Sequence, residues 1–276
     1  MLWVWKDKDN ILCLHLCWQH FQTGRSLFLF EVYSDSLSFG KFRVLTMEDF
    51  TGKNVLVVSD IHYRHRNIIK HCGRPCDCDA KMIQSFQDVR LAPMASPVDA
   101  ILNLGDFSFG NKEECVDGYN LLFKQNGYPD PILIVGNHDQ KYKRVLKLPW
   151  SKIIHPQHQP YRFVYNGLRF AAQHRNYQEF PRKTKPGRWL LQKITDLFLD
   201  LKSRRQLGSF LNYQDVPSNV DVCLHGHTHE LGQQYDWVNN TLIVNCCVEH
   251  WDYRPTSLHE LEQEYHARKK YYERKQ

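Results

Sequence analysis

Four short apolar runs, rich in β-branched residues, each stop at a cluster of metal-type side chains, and this repeated placement limits the possible folds sharply. Val55–Val58 runs into Ser59-Asp60-Ile61-His62, and Ala100–Leu104 into Gly105-Asp106. Ile132–Val135 runs into Gly136-Asn137-His138-Asp139, and Val220–Leu224 into His225-Gly226-His227-Thr228-His229. Short runs of this kind read as strands buried on both faces, as in a sheet covered on either side. In open α/β sheets ligands gather where strands end, because the loops there are free to carry polar groups. A lone His-x-His pair is ordinarily made of turn or core residues. Four clusters, each at a strand end, predict loops that converge at one sheet edge on a dinuclear metal centre.

The intervening segments predict helices over Asp79–Leu91, Asn111–Gln125 and Gln140–Leu146, giving an α/β order. Tyr161–Tyr165 and Leu168–Ala172, separated by Asn166-Gly167, predict a hairpin. His174 follows its second strand, where another ligand loop is expected. Residues 181–205 hold eight Lys or Arg against two Asp. Leu190, Ile194, Leu197 and Leu201 recur at helical spacing behind that basic loop, either as a packing helix with a solvated charged face or as a basic rim near the metals. Residues 1–50 form a β-rich N-terminal extension, read as a structural cover or a dimer contact, and 51–276 form the main domain. Ser257-x-x-Glu260 is a capping-box pattern, and His266–Gln276 reads as a frayed, solvated tail.

Composition excludes several classes. A 276-residue chain with 42% hydrophobic and 24% charged residues can bury a sizeable core and is not disordered by default. No run approaches the roughly 18 apolar residues of a membrane span, and no signal segment opens the chain, so a soluble cytoplasmic protein without a membrane partner is expected. Nine cysteines without a secretion signal argue against a disulfide framework. Cys72, Cys76 and Cys78 lack a fourth ligand at zinc-type spacing and read as reduced loop cysteines. Cys13, His15 and Cys17 alternate along a strand, which puts the outer pair about 13 Å apart, too far for one tetrahedral ion. The net charge of +6 is compatible with phosphate-rich partners but too small to establish nucleic-acid binding.

The order Asp-x-His, Gly-Asp, Gly-Asn-His-Asp, a lone His, then Gly-His-x-His resembles the calcineurin-like metallophosphoesterases. Ser59-Asp60-Ile61-His62, followed by His65, Asn67 and Cys72-Gly73-Arg74-Pro75, is similar to small bacterial and phage phosphoesterases, as is Val248–Leu258 with Tyr253-Arg254-Pro255. The resemblance spans residues 53–262 and implies an α/β fold of the α+β sandwich type, with central β-sheets flanked by helices. It assigns Asp60, His62, Asp106 and His229 to one metal, and Asn137, His174 and His227 to a second, with Asp106 bridging. His155 and His158 are rivals to His174. His138 would face the phosphate with Asp139 orienting it. His65 and the basic residues Arg182, Lys183, Lys185 and Arg188 are candidate substrate contacts, and Arg74 has a supporting, packing or substrate-contact role.

The mixed carboxylate, imidazole and amide set suits two divalent ions of Mn, Fe, Zn or Ni. A bound metal lowers the pKa of water from 15.7 to about 7, so the resemblance implies attack by a metal-bridging hydroxide. The substrate implied is a phosphate ester, foremost a phosphodiester of nucleotide or nucleic-acid type. The alternatives are a phosphomonoesterase or protein phosphatase on the same scaffold, or a metal-binding interaction module without catalysis. Protein phosphatases of this kind carry Gly-Asp-x-Val-Asp-Arg-Gly and Gly-Asn-His-Glu. This chain has Gly105-Asp106-Phe107-Ser108-Phe109-Gly110 and ends the later loop in Asp139.

Overall fold

Val55 and Val57 pack into one core and Leu56 and Val58 into another, as the two-residue period of a strand requires. The computed structural model describes residues 2–6, 12–16, 28–32, 45–91, 96–155, 160–175, 216–229 and 234–275. The chain divides into two compact units, Met1–Asp49 and Phe50–Gln276. In the first, Leu2–Lys6, Leu12–Leu16, Phe28–Val32 and Leu45–Thr46 pair antiparallel in sequence order.

In the second unit one sheet runs Thr256–Ser257, Val55–Val58, Ala100–Asn103, Ile132–Ile134, Lys152–Ile154. Its last four strands are mutually parallel. Another sheet runs through Tyr235–Val238, Thr241–Asn245, Val222–His225, Leu168–Ala172 and Tyr161–Tyr165. There Leu168–Ala172, Val222–His225 and Thr241–Asn245 are parallel neighbours. The inward residues of both sheets share one apolar core, with Val55, Val57, Leu102 and Ile134 from the first and Phe163, Phe170, Val222, Leu224 and Val244 from the second. On the other face of the first sheet, Leu56, Val58, Ile101 and Leu133 pack with Met82 and Phe86 of helix Cys78–Leu91 and with Tyr119, Leu122 and Phe123. Mixed parallel and antiparallel sheets flanked by helices are therefore the architecture, as the sequence predicts.

Local rules account for the elements. Asn111 accepts the Glu114 N–H and Glu114 returns the bond, opening helix Lys112–Tyr119, which passes into a π-turn at Asn120–Lys124. The hairpin pairs Tyr161 with Ala172 and Tyr165 with Leu168. Ser257 and Glu260 cap Leu258–Glu273.

Four expectations change. The ligand loops leave two sheets that face each other, not one sheet edge, because Val222–His225 pairs with Leu168–Ala172 and not with the Val55–Val58 sheet. The helix expected at Gln140 begins at Asn137, inside the ligand loop, and ends at Lys141. Helix Arg66–Cys72 stands where none was expected, ending at Gly73 with φ 65°. The charged C-terminal run remains helical to Glu273, since Leu258, Leu261 and Tyr265 are buried on one face and Tyr272 stacks on Trp237 at 5.3 Å. The described thiols are free, including Cys72, Cys76 and Cys78. The basic run, its amphipathic pattern, Cys17 and His158 lie outside the described residues. No helix among the described residues is long and apolar enough to cross a membrane.

Candidate metal centre

The loop after Val55–Val58 turns through three left-handed residues, Asp60 at φ 55°, His62 at φ 52° and Arg64 at φ 60°. Such conformations cost non-glycine residues on the order of 1–3 kcal/mol each and persist only where neighbours hold them. Here the neighbours are backbone: Asp60 N–H donates to Gly105 O and His62 N–H to Asp106 O, both at 3.0 Å. Asp106 is itself at φ 55° and His227 at φ 70°. Ser59 N–H donates to Cys246 O of the other sheet at 3.0 Å, so the loops at the ends of the two sheets are laced together with their side chains already aimed.

Asp60 and His62, both buried, and the half-buried His229 form one group whose ligand atoms lie within 4.8 Å of one another. The Asp60 carboxylate is divided in use. Its Oδ2 accepts from Ser59 Oγ at 2.6 Å, His227 N at 2.8 Å and Cys247 Sγ at 3.3 Å. Its Oδ1 faces His62 Nε2 at 3.4 Å and His229 Nε2 at 3.5 Å. Gly226 makes this approach possible, because a Cβ there would collide with Ser59 Oγ and Asp60 Oδ2.

Asp106, His174 and His227 form a second group of the same kind. Asp106 Oδ1 accepts the His138 N–H at 2.9 Å, and a Cβ at Gly136 would collide with that oxygen. Asp106 Oδ2 lies 3.3 Å from His174 Nε2 and 3.8 Å from His62 Nε2, so one oxygen stands between the two groups. His174 donates from Nδ1 to Leu104 O at 2.9 Å, and its Nε2 is 3.0 Å from Asn137 Oδ1 and 3.2 Å from His227 Nδ1. Parallel pairing of Leu168–Ala172 with Val222–His225 brings this about: Ala172 is opposite Leu224, and Gly226 N–H donates to His174 O at 2.9 Å. His174 thus joins the cluster, while His155 is exposed at its strand end.

The donor set fits a divalent cation. Asp60 Oδ1 and His62 Nε2 are buried and make no hydrogen bond, although such groups cost about 1–3 kcal/mol when left unpaired. Burial would raise the Asp60 carboxyl, but the imidazoles of His174, His62 and His229 outweigh it and hold it well below the usual range. Burial would likewise lower His174, yet the Asp106 and Asp60 carboxylates push it up to about 9. His227, shielded from water and beside His174, falls to about 4. Buried carboxylates that draw positive charge to this extent, surrounded by imidazole nitrogens, offer the donor chemistry that a cation site requires.

Other predicted residues are placed differently. His138 is part-exposed, with its ring nitrogen 3.8 Å from Asp106 Oδ2. Asp139 is not spent on the His138 ring. Its oxygens accept the backbone N–H groups of Asp106 at 2.8 Å, Phe107 at 3.1 Å and Gly136 at 2.9 Å, so it shapes two ligand loops. Burial and the nearby Asp106 carboxylate raise its pKa to about 6. His65 turns its Nδ1 to His62 Nδ1 at 3.2 Å and stacks on Phe109 at 3.6 Å. Arg182, Lys183, Lys185 and Arg188 lie outside the described residues. Sequence reasoning missed Glu249, whose Oε1 accepts from both His229 Nδ1 and Arg74 Nε at 2.7 Å. The Val248–Leu258 resemblance marked its segment without marking the residue.

The search of curated proteins returned no match. Among solved structures, a protein of unknown function, AQ665 from Aquifex aeolicus, is 19% identical with a TM-score of 0.46, covering 77% of this chain and 99% of that one. A novel archaeal phosphodiesterase is 16% identical with a TM-score of 0.35, covering 71% and 86%. Zinc-complexed Vps29 from Entamoeba histolytica is 15% identical with a TM-score of 0.30, covering 70% and 72%. A model of the calcineurin-like phosphoesterases matches residues 53–231, a span that begins just before the Asp60 loop and closes just after His229. By that match over more than half its length, the chain belongs to the calcineurin-like phosphoesterase family.

Proposed function

We propose that the protein hydrolyses phosphodiesters of nucleotide or nucleic-acid type with the help of two divalent ions. The observation that carries this reading is the position of Asp106 Oδ2, 3.8 Å from a nitrogen of one ligand group and 3.3 Å from a nitrogen of the other. Asp60, His62 and His229 would hold one ion, Asn137, His174 and His227 the other, and Asp106 both. When bound, such ions supply a more acidic water and Lewis-acid stabilisation of charge on phosphoryl oxygens.

The chain's own residues then have separable tasks. His174 is oriented through Nδ1 by Leu104 O, and Asp60 keeps one oxygen for the site because Ser59, His227 and Cys247 occupy the other. His138 is anchored by its backbone to Asp106 and leaves a part-exposed ring beside the cluster, where it would donate a hydrogen bond to a phosphoryl or leaving oxygen. Asp139 holds the backbone from which both Asp106 and His138 project.

The test is a screen of Mn²⁺, Ni²⁺, Zn²⁺ and Fe²⁺ against a phosphomonoester, bis(p-nitrophenyl) phosphate, cyclic nucleotides and single-stranded RNA and DNA. Metal-dependent turnover that is fastest on diesters is expected. Preference for the monoester would move the reading to a phosphomonoesterase. Background rates on every substrate, with two ions bound per chain, would leave a metal-binding interaction module.

A further inference from the structure

We infer that Glu249, paired with Arg74, is a positioning residue for one of the two ion sites only, that of Asp60, His62 and His229. The inference rests on the two-ion reading above. Glu249 belongs to the short turn Val248–Trp251, which follows the second-sheet strand Thr241–Asn245. Its side chain is 2% exposed and that of Arg74 0%, so the pair is withdrawn from solvent.

The bonding pattern gives the pair its role. A carboxylate accepts and does not donate, so the 2.7 Å contact places the His229 proton on Nδ1. The Nε2 lone pair is thereby presented 3.5 Å from Asp60 Oδ1, where a cation would sit. The same Glu249 oxygen takes Arg74 Nε at 2.7 Å. The rest of that guanidinium reaches the other sheet's loop, donating from Nη1 to Ile61 O at 2.8 Å and from Nη2 to Asp60 O at 2.6 Å. One ion pair therefore sets the tautomer of His229 and grips the backbone of the left-handed turn that carries Asp60 and His62. The other group is oriented differently, since His174 leans on the backbone carbonyl of Leu104.

Net stability is a weak explanation for the pair. Glu249 Oε2 is buried and makes no hydrogen bond, and buried ion pairs can often be replaced by apolar residues of similar volume without loss of stability. An imperfectly satisfied pair of this kind makes physical sense where its geometry serves something else.

Two double variants and the wild type test the inference. Arg74→Met with Glu249→Met removes both charges and the acceptor, leaving no buried charge alone. Arg74→Met with Glu249→Gln restores an acceptor without the charge. Chelator-stripped proteins are titrated with Mn²⁺ by calorimetry, and the imidazole ¹⁵N spectrum is recorded on the metal-free proteins. The Met/Met variant is expected to weaken one of two binding steps by about 10–100-fold and to leave the other unchanged within about threefold, with Met/Gln recovering part of the loss. His229 should carry its proton on Nδ1 in wild type and Met/Gln but not in Met/Met. Equal weakening of both steps, no weakening, or no recovery in Met/Gln would overturn the inference. So would a wild-type His229 protonated on Nε2, a result that needs no variant to fold. Binding of a single ion by the wild type would instead sink the two-ion reading, and the tautomer spectra would still decide the role of Glu249.

Discussion

His138 grips one oxygen of Asp106 with its backbone N–H at 2.9 Å while its ring nitrogen stands 3.8 Å from the other oxygen of the same carboxylate. The backbone bond does not depend on the side chain in any residue but proline, so the ring can be removed without releasing Asp106. His138→Ala should keep its metal content and lose about 10²-fold or more in kcat, the scale of one transition-state donor. Elemental analysis beside steady-state kinetics checks this, and loss of metal would mean that the ring is itself a ligand.

Asp106→Ala should behave in the opposite way. Its Oδ2 stands between both groups, so its removal is expected to lower metal content as well as rate. A variant with two tightly bound ions and only a slower turnover would contradict the bridging assignment.

Gly226→Ala places a methyl group against Ser59 Oγ and Asp60 Oδ2. Both belong to a backbone-laced turn that cannot retreat freely, so a cost of about 1–3 kcal/mol is expected, with weaker metal uptake. Urea denaturation in chelator separates the packing cost from the loss of metal stabilisation. An unchanged midpoint would show that the turn yields.

Asp221, which precedes strand Val222–His225 at the end opposite His227, offers a separate pH test. Burial would raise its carboxyl, but the Arg169 guanidinium at 2.9 and 3.0 Å and the Arg169 N–H at 2.8 Å lower it. A depressed carboxyl stabilises the fold above its unfolded pKa of about 3.9, and the benefit fades as pH falls through the folded value. Because the Arg169 side chain is 45% exposed, screening limits the Asp221→Asn cost at pH 7 to about 0.5–1 kcal/mol. That gap between variant and wild type should narrow below about pH 4. A gap that widens in acid would reverse the sign.

The substrate class has its own test in the basic segment. Replacing Arg182, Lys183, Lys185 and Arg188 with Gln should flatten the salt dependence of oligonucleotide binding by about two to three units, at about 0.7 per neutralised phosphate, and leave a small diester untouched. An unchanged slope would point to a small-molecule phosphoesterase.

How much of this was legible in the sequence depended on how local the cause was. The strand-end motifs announced Asp60, His62, Asp106, Asn137, His227 and His229 because an apolar run and its polar loop are contiguous. His174 was legible through the Asn166-Gly167 hairpin, which fixes where the next strand end falls. Glu249 was not, since it meets Arg74 from 175 positions away and no spacing encodes that contact. The family resemblance made Asp139 the partner of the His138 ring, yet it is bound to amides of a loop 32 and 33 residues earlier. The C-terminal run was judged by charge alone, whereas the stacking of Tyr272 on Trp237 carries the helix on.

The division of the two side-chain groups between facing sheets has a temporal consequence. One group lacks His229 and the other lacks His174 and His227 until the second sheet has docked on the first. During synthesis the chain therefore displays Asp60, His62 and Asp106 for more than a hundred residues, and Asn137 for 90, without a complete set of donors. On the two-ion reading, both donor sets are completed only when the sandwich closes, so metal content would report on the docking of the two sheets.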